Sequence, residues 1–360
     1  MPARDSWGGP ALSEPPFTAA LRELGADVTE ETYVYGDKEK PTPFFERVRR
    51  VLKTAFRFRQ ILKRQDFDLI HLNTAFDAKT LLRDAISISL MQPRKAKIFL
   101  KIHGSEANAL ASQNPVIVFL KNYLKKRVDG FGIHTSEEKQ NFARAGFSEE
   151  KLFFDKNATT IFERLPPRTE PETWLKAPSD KFNLLFVSRF IPAKGLVETV
   201  CAAAILRDKN YNFTLDCVGD GETRAEAEKL VKVLDLQETV HFTGYVSETE
   251  VAKHLANGDL LIFPTYHAEG FPNILFNAMA AGLPVVTTKI RAAADYLSEP
   301  ANCLWTEPKN AAMLAKKIGE ILDNAELRRT MSANNREFGE TLKPQNIARE
   351  FLEIYQKILD

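Results

Sequence analysis

The chain has 360 residues, 44% hydrophobic and 27% charged, the balance of a soluble globular protein with room for about two domains of ~150 to 200 residues each. No apolar run approaches the ~18 to 20 residues that cross a bilayer and no basic-then-apolar segment opens the sequence, so neither a helical membrane span nor a secretory leader is expected. The net charge of +1 hides an asymmetry: residues 1–176 carry 29 Lys and Arg against 23 Asp and Glu, giving +6, and the remainder 20 against 25, giving −5.

Short apolar runs alternate with longer helical patterns, as in parallel sheets with crossover helices. In the first half the patterns predict strands near 68–73, 97–102, 130–134 and 151–154. Helices are predicted near 10–24, 44–64, 77–91, 115–127 and 136–145, with Thr135 and Glu138 as a capping box for the last. The 44–64 helix has Phe44, Val48, Val51, Ala55, Phe58 and Leu62 at spacings of four and three, with eight basic residues against one acid. Packing on a sheet explains that stripe. The basic surplus, with Phe45 and Phe56 off the stripe, equally suits contact with an anionic membrane or a lipid-diphosphate acceptor. Asp66-Phe-Asp68 has the D-x-D spacing of metal-dependent transferases but leads directly into the apolar run LIHL, and reads as punctuation between helix and strand. No other cluster offers metal ligands at useful spacing.

Residues 165–181 hold Pro166, Pro167, Pro171 and Pro178 and read as a linker. A second alternating block follows, with strands near 182–188, 213–218, 239–242, 259–264 and 284–288. Helices are predicted near 195–208, 222–235, 247–256, 273–281, 309–323 and 326–338, and an amphipathic helix near 344–358. Cys201, Cys217 and Cys303 lack metal-ligand spacing; Cys201 on a helical pattern and Cys217 inside a strand fit small core residues in a reducing compartment, which the cytoplasm matches. The expected architecture is α/β: two Rossmann-like, doubly wound domains facing a cleft, spanning 1–172 and 173–341. Residues 342–360 are expected to pack back toward the first. Ligands of such sheets sit at the carboxyl ends of the strands.

In LLFVSRFIPAKG, Arg189 ends a strand and Lys194 precedes a helix, so two cations beside a helix N-terminus can hold a diphosphate; solvated loop charges are the ordinary alternative. The turn Val218-Gly-Asp-Gly-Glu222 lets backbone pass close to a ligand, although strand-ending turns are commonly glycine-rich. In AEGFPNILFN, Glu269 and Gly270 lead into a helix starting at Pro272, on which Asn273 and Asn277 share a face. Helix N–H groups supply donors for phosphate, and the carboxylate an acceptor for sugar hydroxyls.

These elements, with Phe242-Thr-Gly244 and Ala278-Met-Ala-Ala-Gly-Leu-Pro-Val-Val286, together resemble the retaining glycosyltransferases of family 4 (glycosyl transferases group 1), which have the GT-B fold. The resemblance implies that Arg189 and Lys194 bind the diphosphate of a nucleotide-sugar donor. It implies that Glu269, the first acid of an E-x7-E motif, orients the donor's hydroxyls. Gly270, Phe271, Asn273 and Ile274 match the segment whose amides meet sugar and phosphate, and Gly244, Tyr245 and Val246 the segment near the base. His103 in KIHGSE matches a histidine facing the donor sugar, and Gly8-Gly9 a loop beneath the phosphates. By itself, His103 would more often be a satisfied histidine at a strand end.

Three departures stand out. The second acid position is Asn277, a weaker, neutral partner for a ribose hydroxyl. Residues 290–295 read IRAAAD where the family usually has a Gly-Gly turn. Only MPARDSW precedes Gly8, so the family's first strand is either missing from this chain or lies upstream. The expectation is a metal-independent, retaining hexosyltransferase without cofactor. Its donor would be a nucleotide diphosphate sugar and its acceptor a lipid-linked polysaccharide or lipopolysaccharide hydroxyl. It would be cytoplasmic and peripheral at the inner face of a membrane, with 44–64 as the contact and no nucleic-acid partner. An epimerase of the same fold and a non-catalytic relative that binds nucleotide sugar or partners are the alternatives.

Overall fold

A computed structural model describes residues 9–33, 43–92, 95–105, 107–165 and 176–360. The chain forms two compact units, Met1–Ala158 with Leu342–Asp360, and Thr159–Thr341. The division falls before the proline-rich segment, where the sequence suggested 172/173. The reason is a short helix, Ile161–Arg164, that packs with the second unit; Pro166, Pro167 and Pro171 lie outside the described residues.

Elements are numbered along the whole chain. Unit 1 contains α1 (Gly9–Glu23), α2 (Phe44–Arg64), β1 (Leu69–Phe76), α3 (Ala78–Met91), β2 (Lys97–Ser105), α4 (Ala107–Ala111), α5 (Pro115–Arg127), β3 (Gly130–Ile133), α6 (Ser136–Arg144), β4 (Leu152–Phe154) and α15 (Pro344–Leu359). Its strands are parallel in the order β1-β2-β3-β4. Asp77 caps α3 through its carboxylate to the N–H groups of Lys79 and Thr80, and the Thr80 hydroxyl returns the bond. The expected box on α6 is only half formed. The Thr135 hydroxyl accepts from the Glu138 N–H at 3.1 Å, but the Glu138 carboxylate accepts from the His134 N–H at 3.0 Å and the Ser105 hydroxyl at 2.7 Å.

β1 pairs with β2 alone, and among the described residues no strand lies on its other edge. A cavity of about 550 Å³ follows that edge, lined by residues 69–73 of β1, 25–31 opposite, and Tyr355 of α15. The order reversal of a doubly wound sheet needs a strand there, so this sheet, as described, has no switch point. Its core holds an unusual amount of charge. Glu14 of α1 and Lys101 of β2, each 1% exposed, pair at 2.8 Å, and the Asn73 amide donates to the second Glu14 oxygen at 3.0 Å. The Lys101 ammonium lies over the rings of Phe17 and Phe351. Burial alone would raise the Glu14 pKa, but Lys101 and its neighbours hold it down at about 2.

Unit 2 contains α7 (Ile161–Arg164), β5 (Phe182–Val187), α8 (Leu196–Asp208), β6 (Phe213–Val218), α9 (Arg224–Val233), β7 (Val240–Gly244), α10 (Glu248–Asn257), β8 (Leu260–Phe263), α11 (Asn273–Ala280), β9 (Val285–Thr288), α12 (Arg291–Tyr296), β10 (Leu304–Thr306), α13 (Ala311–Asp323) and α14 (Ala325–Thr341). The six strands are parallel in the order β10-β9-β8-β5-β6-β7, with a reversal between β5 and β8. In sheets of this kind the carboxyl ends of the strands on either side of such a reversal are where ligands bind. Strands buried on both faces explain the near-continuous apolar runs at Phe182–Val187 and Leu260–Phe263. The region 290–295, expected as an altered loop, is the N-cap and most of α12, and β10 was not anticipated.

Candidate donor-binding site

The chain leaving β5 is held by β6. Ser188 N–H donates to the Val218 carbonyl at 3.0 Å, and Phe190 N–H to the Asp220 carbonyl at 2.8 Å. The glycines of the 218–222 turn serve this contact. Gly219 has φ +135°, and a Cβ there would sit 1.8 Å from the Ser188 carbonyl oxygen; one at Gly221 would sit 2.5 Å from that of Phe190. Their close approach is therefore to the backbone on either side of Arg189, which fixes where that exposed side chain starts.

The loop leaving β8 is tied to the same place. The Ala193 carbonyl accepts from the N–H groups of Tyr266 at 2.8 Å and His267 at 3.0 Å, and from the Thr265 hydroxyl at 3.2 Å. This brings Glu269 into a direct ion pair with Lys194, whose side chain is 8% exposed. Burial, then the charge of Arg189, lowers the Lys194 ammonium to about 8, while the touching Glu269 carboxylate favours the protonated form. Burial, then the charges of Lys194, Arg189 and Arg291 around it, lowers the His267 pKa, so four basic groups share one field.

Arg291 is the member that local motifs missed. It is buried, takes φ +43°, and sends Nη1 to the Ala268 carbonyl at 3.3 Å. A left-handed backbone is where the resemblance expects glycine, so the turn geometry persists with a guanidinium added. Arg291→Gly should relieve the backbone strain but lose the side chain's bond to Ala268, and should weaken pyrophosphate binding about tenfold, read by calorimetry. Unchanged affinity would limit Arg291 to holding the loop.

Past Glu269, Phe271 stacks on Phe276 at 3.9 Å and meets Tyr296 edge-on. Its ring belongs to the core. Pro272 supplies no side-chain cap to α11, and Asn273, Ile274 and Asn277 are half-exposed along its first turns. Asn277 Oδ1 accepts from the Thr159 hydroxyl at 2.5 Å. That bond commits the carbonyl and leaves the amide N–H₂ as the group turned to other partners. Gly244, Tyr245 and Val246 lie at the carboxyl end of β7, on the same edge of the sheet, with Tyr245 exposed.

The remaining expected site residues are in unit 1. His103 Nε2 lies 2.6 Å from Asn73 Oδ1, beside the Glu14–Lys101 pair, and burial lowers its pKa well below the ordinary value. It is thus integrated in a polar network. Gly9 is the first residue of α1, where a loop glycine was expected, and Gly8 lies outside the described residues. Asp66 and Asp68 lie between α2 and β1, as punctuation.

Cations from two loops and an uncapped helix start, gathered at a strand-order reversal, make this the candidate site for an anion such as a diphosphate. The model of the glycosyl transferases group 1 family matches residues 169–338, and that of glycosyltransferase family 4 matches 16–154. The chain belongs to glycosyltransferase family 4 and has the GT-B fold. It is 26% identical over 357 residues to the N,N'-diacetylbacillosaminyl-diphospho-undecaprenol alpha-1,3-N-acetylgalactosaminyltransferase of Campylobacter jejuni, covering 95% of this chain and 89% of that one. It is 26% identical over 305 residues to an uncharacterized glycosyltransferase of Methanocaldococcus jannaschii, covering 84% and 79%. The Anabaena protein HepE, solved with UDP and glucose, superposes with a TM-score of 0.72 at 18% identity over 98% of both chains.

Proposed function

We propose that this glycosyltransferase moves a hexose, with retention of configuration, from a nucleotide diphosphate sugar to a hydroxyl of a lipid-linked polysaccharide or lipopolysaccharide acceptor. The observation that carries this reading is the convergence of Arg189, Lys194, Arg291 and Glu269 at the β5–β8 reversal. The Campylobacter relative, whose name gives a diphospho-undecaprenol acceptor, supports the acceptor class. In this reading the incoming diphosphate competes for Lys194, which releases Glu269 to accept hydroxyls of the donor sugar. Gly270, Phe271 and Asn273 offer backbone N–H groups, and Gly244 to Val246 border the base.

The bond from the anomeric carbon to the phosphate oxygen breaks, and the acceptor oxygen bonds to that carbon from the same face. The departing phosphate oxygen takes the acceptor's proton. Charge on the leaving diphosphate is neutralised by the three cations and the start of α11, so the reading requires no metal ion.

The test is a panel of UDP- and GDP-sugars screened for thermal stabilisation, followed by transfer to lipid-linked acceptors with and without EDTA. One base should raise Tm, at about 2.7 kcal/mol of stabilisation for ligand at a hundred times Kd. Product formation should require acceptor and survive EDTA. Conversion of the donor without acceptor would indicate an epimerase instead. Strong donor binding without transfer would favour the non-catalytic alternative, which the Asn277–Thr159 bond makes concrete; Asn277→Glu should then tighten binding about tenfold.

A further inference from the structure

Among the described residues, large apolar side chains left in solvent are concentrated on one helical layer. Of the eleven that are exposed, seven belong to α2, α3 and α5, which pack in series. On α2, Phe45 (85% exposed), Val48, Leu52 and Phe56 (48%) follow one another at three, four and four residues, a single face of the helix. Val48 was expected on the buried stripe. That stripe instead runs through Val51, Ala55, Phe58 and Leu62, a quarter-turn away. α2 is therefore apolar on two faces, only one of which turns inward, where Phe58 and Leu62 join the core of unit 1 and the helix packs on α3.

The third face is basic. Arg49, Lys53 and Arg57 each follow a residue of the exposed apolar row by one position, so a row of cations runs beside it. The helix's one acid, Glu46, is engaged by Arg50 at 2.6 Å, and Arg57 by Glu31 at 3.0 Å. Among the described residues no carboxylate pairs with Arg49, Lys53, Lys63 or Arg64. The neighbouring helices extend the pattern: Leu82 on α3 is exposed, as are Val116 and Phe119 on α5, which ends in Lys125, Lys126 and Arg127. Soluble proteins seldom leave so many large apolar side chains in water on neighbouring helices.

We propose that the outer face of α2, with α3 and α5 beside it, docks unit 1 on an anionic lipid bilayer. The apolar row would enter the acyl boundary while the basic row lies among the headgroups. Charge complementarity selects the occupant: a cationic row beside an apolar one matches a negatively charged headgroup layer over hydrocarbon. The inference rests on the lipid-linked acceptor of the proposed function, since docking would hold the enzyme where that acceptor is found.

The test is sedimentation of the full-length protein with vesicles of phosphatidylcholine alone or with about 30 mol% phosphatidylglycerol. The anionic vesicles should bind it and the neutral ones should not, and about 0.5 M salt should release it. Phe45→Ser/Leu52→Ser/Phe56→Ser should lower the partition at least tenfold, and Arg49→Glu/Lys53→Glu by a similar factor, at about fivefold or more per reversed charge. Both sets are solvent-facing, so Tm and stabilisation by UDP should stay at parent values. Binding to neither vesicle, equal binding to both, or parental binding by both variants would overturn the proposal. So would a shift of the parent from dimer to monomer in the serine variant, which would assign the face to a second copy. UDP stabilisation without vesicle binding would reject docking alone; vesicle binding without response to any nucleotide sugar would reject the proposed reaction.

Discussion

Arg189→Ala is expected to keep the fold of unit 2 and lower kcat by about 10²- to 10³-fold, the usual loss of ~3 to 4 kcal/mol when one preorganised donor to a developing negative charge is removed. The fold should survive because the position is set by backbone: Ser188 and Phe190 bond to Val218 and Asp220, and the glycine turn packs against them. The side chain beyond is exposed and supports no core. Lys194→Ala should cost a comparable factor but is a less clean probe, because it strips Glu269 of its counter-ion. The measurement is kcat at saturating donor, with Tm as the control. Parental turnover in Arg189→Ala would remove the central cation from the proposed mechanism.

Lys101→Met should destabilise unit 1 by about 3 to 5 kcal/mol, because it leaves the Glu14 carboxylate buried without its cation. Glu14→Gln/Lys101→Met should recover most of that loss, since the two rings facing Lys101 can pack against a methionine and the carboxamide can still accept from Asn73. A double variant as unstable as the single would show that packing, and not charge, sets the cost. The pH dependence gives an independent check. A carboxylate whose pKa falls from 4.5 unfolded to about 2 folded contributes stability above pH 4.5 that is lost progressively as pH drops toward 2. The parent should show that acid limb in urea midpoints, and the double variant should lack Glu14's share of it.

Much of unit 2 was legible because its determinants are local. Apolar runs mark the strands, and Asn273 to Ala280 folds as a helix directly behind Gly270 and Pro272. The loop cations could be placed for the same reason, since each follows a recognisable strand end. Arg291 was not legible: a non-glycine residue in a left-handed conformation leaves no pattern in the sequence. β10 has three residues, too few for alternation to register. The buried network of unit 1 was hidden by distance. A lysine between apolar neighbours in a strand reads as solvent-facing, and nothing near Lys101 announces a carboxylate 87 positions away. The double apolar character of α2 was masked by its basic surplus, which makes Phe45 and Phe56 look like exceptions.

Unit 1 is built from two stretches of chain, and α15 supplies Phe351 against Phe17 and Phe99, with the Tyr355 hydroxyl 2.5 Å from His71 Nδ1. On the ribosome, the nascent polypeptide must therefore wait with that aromatic wall unfinished while all of Thr159–Thr341 is synthesised. Unit 2 is contiguous and can complete itself first, so the half encoded earlier is the half that matures last, with chaperones as its natural custodians during the delay.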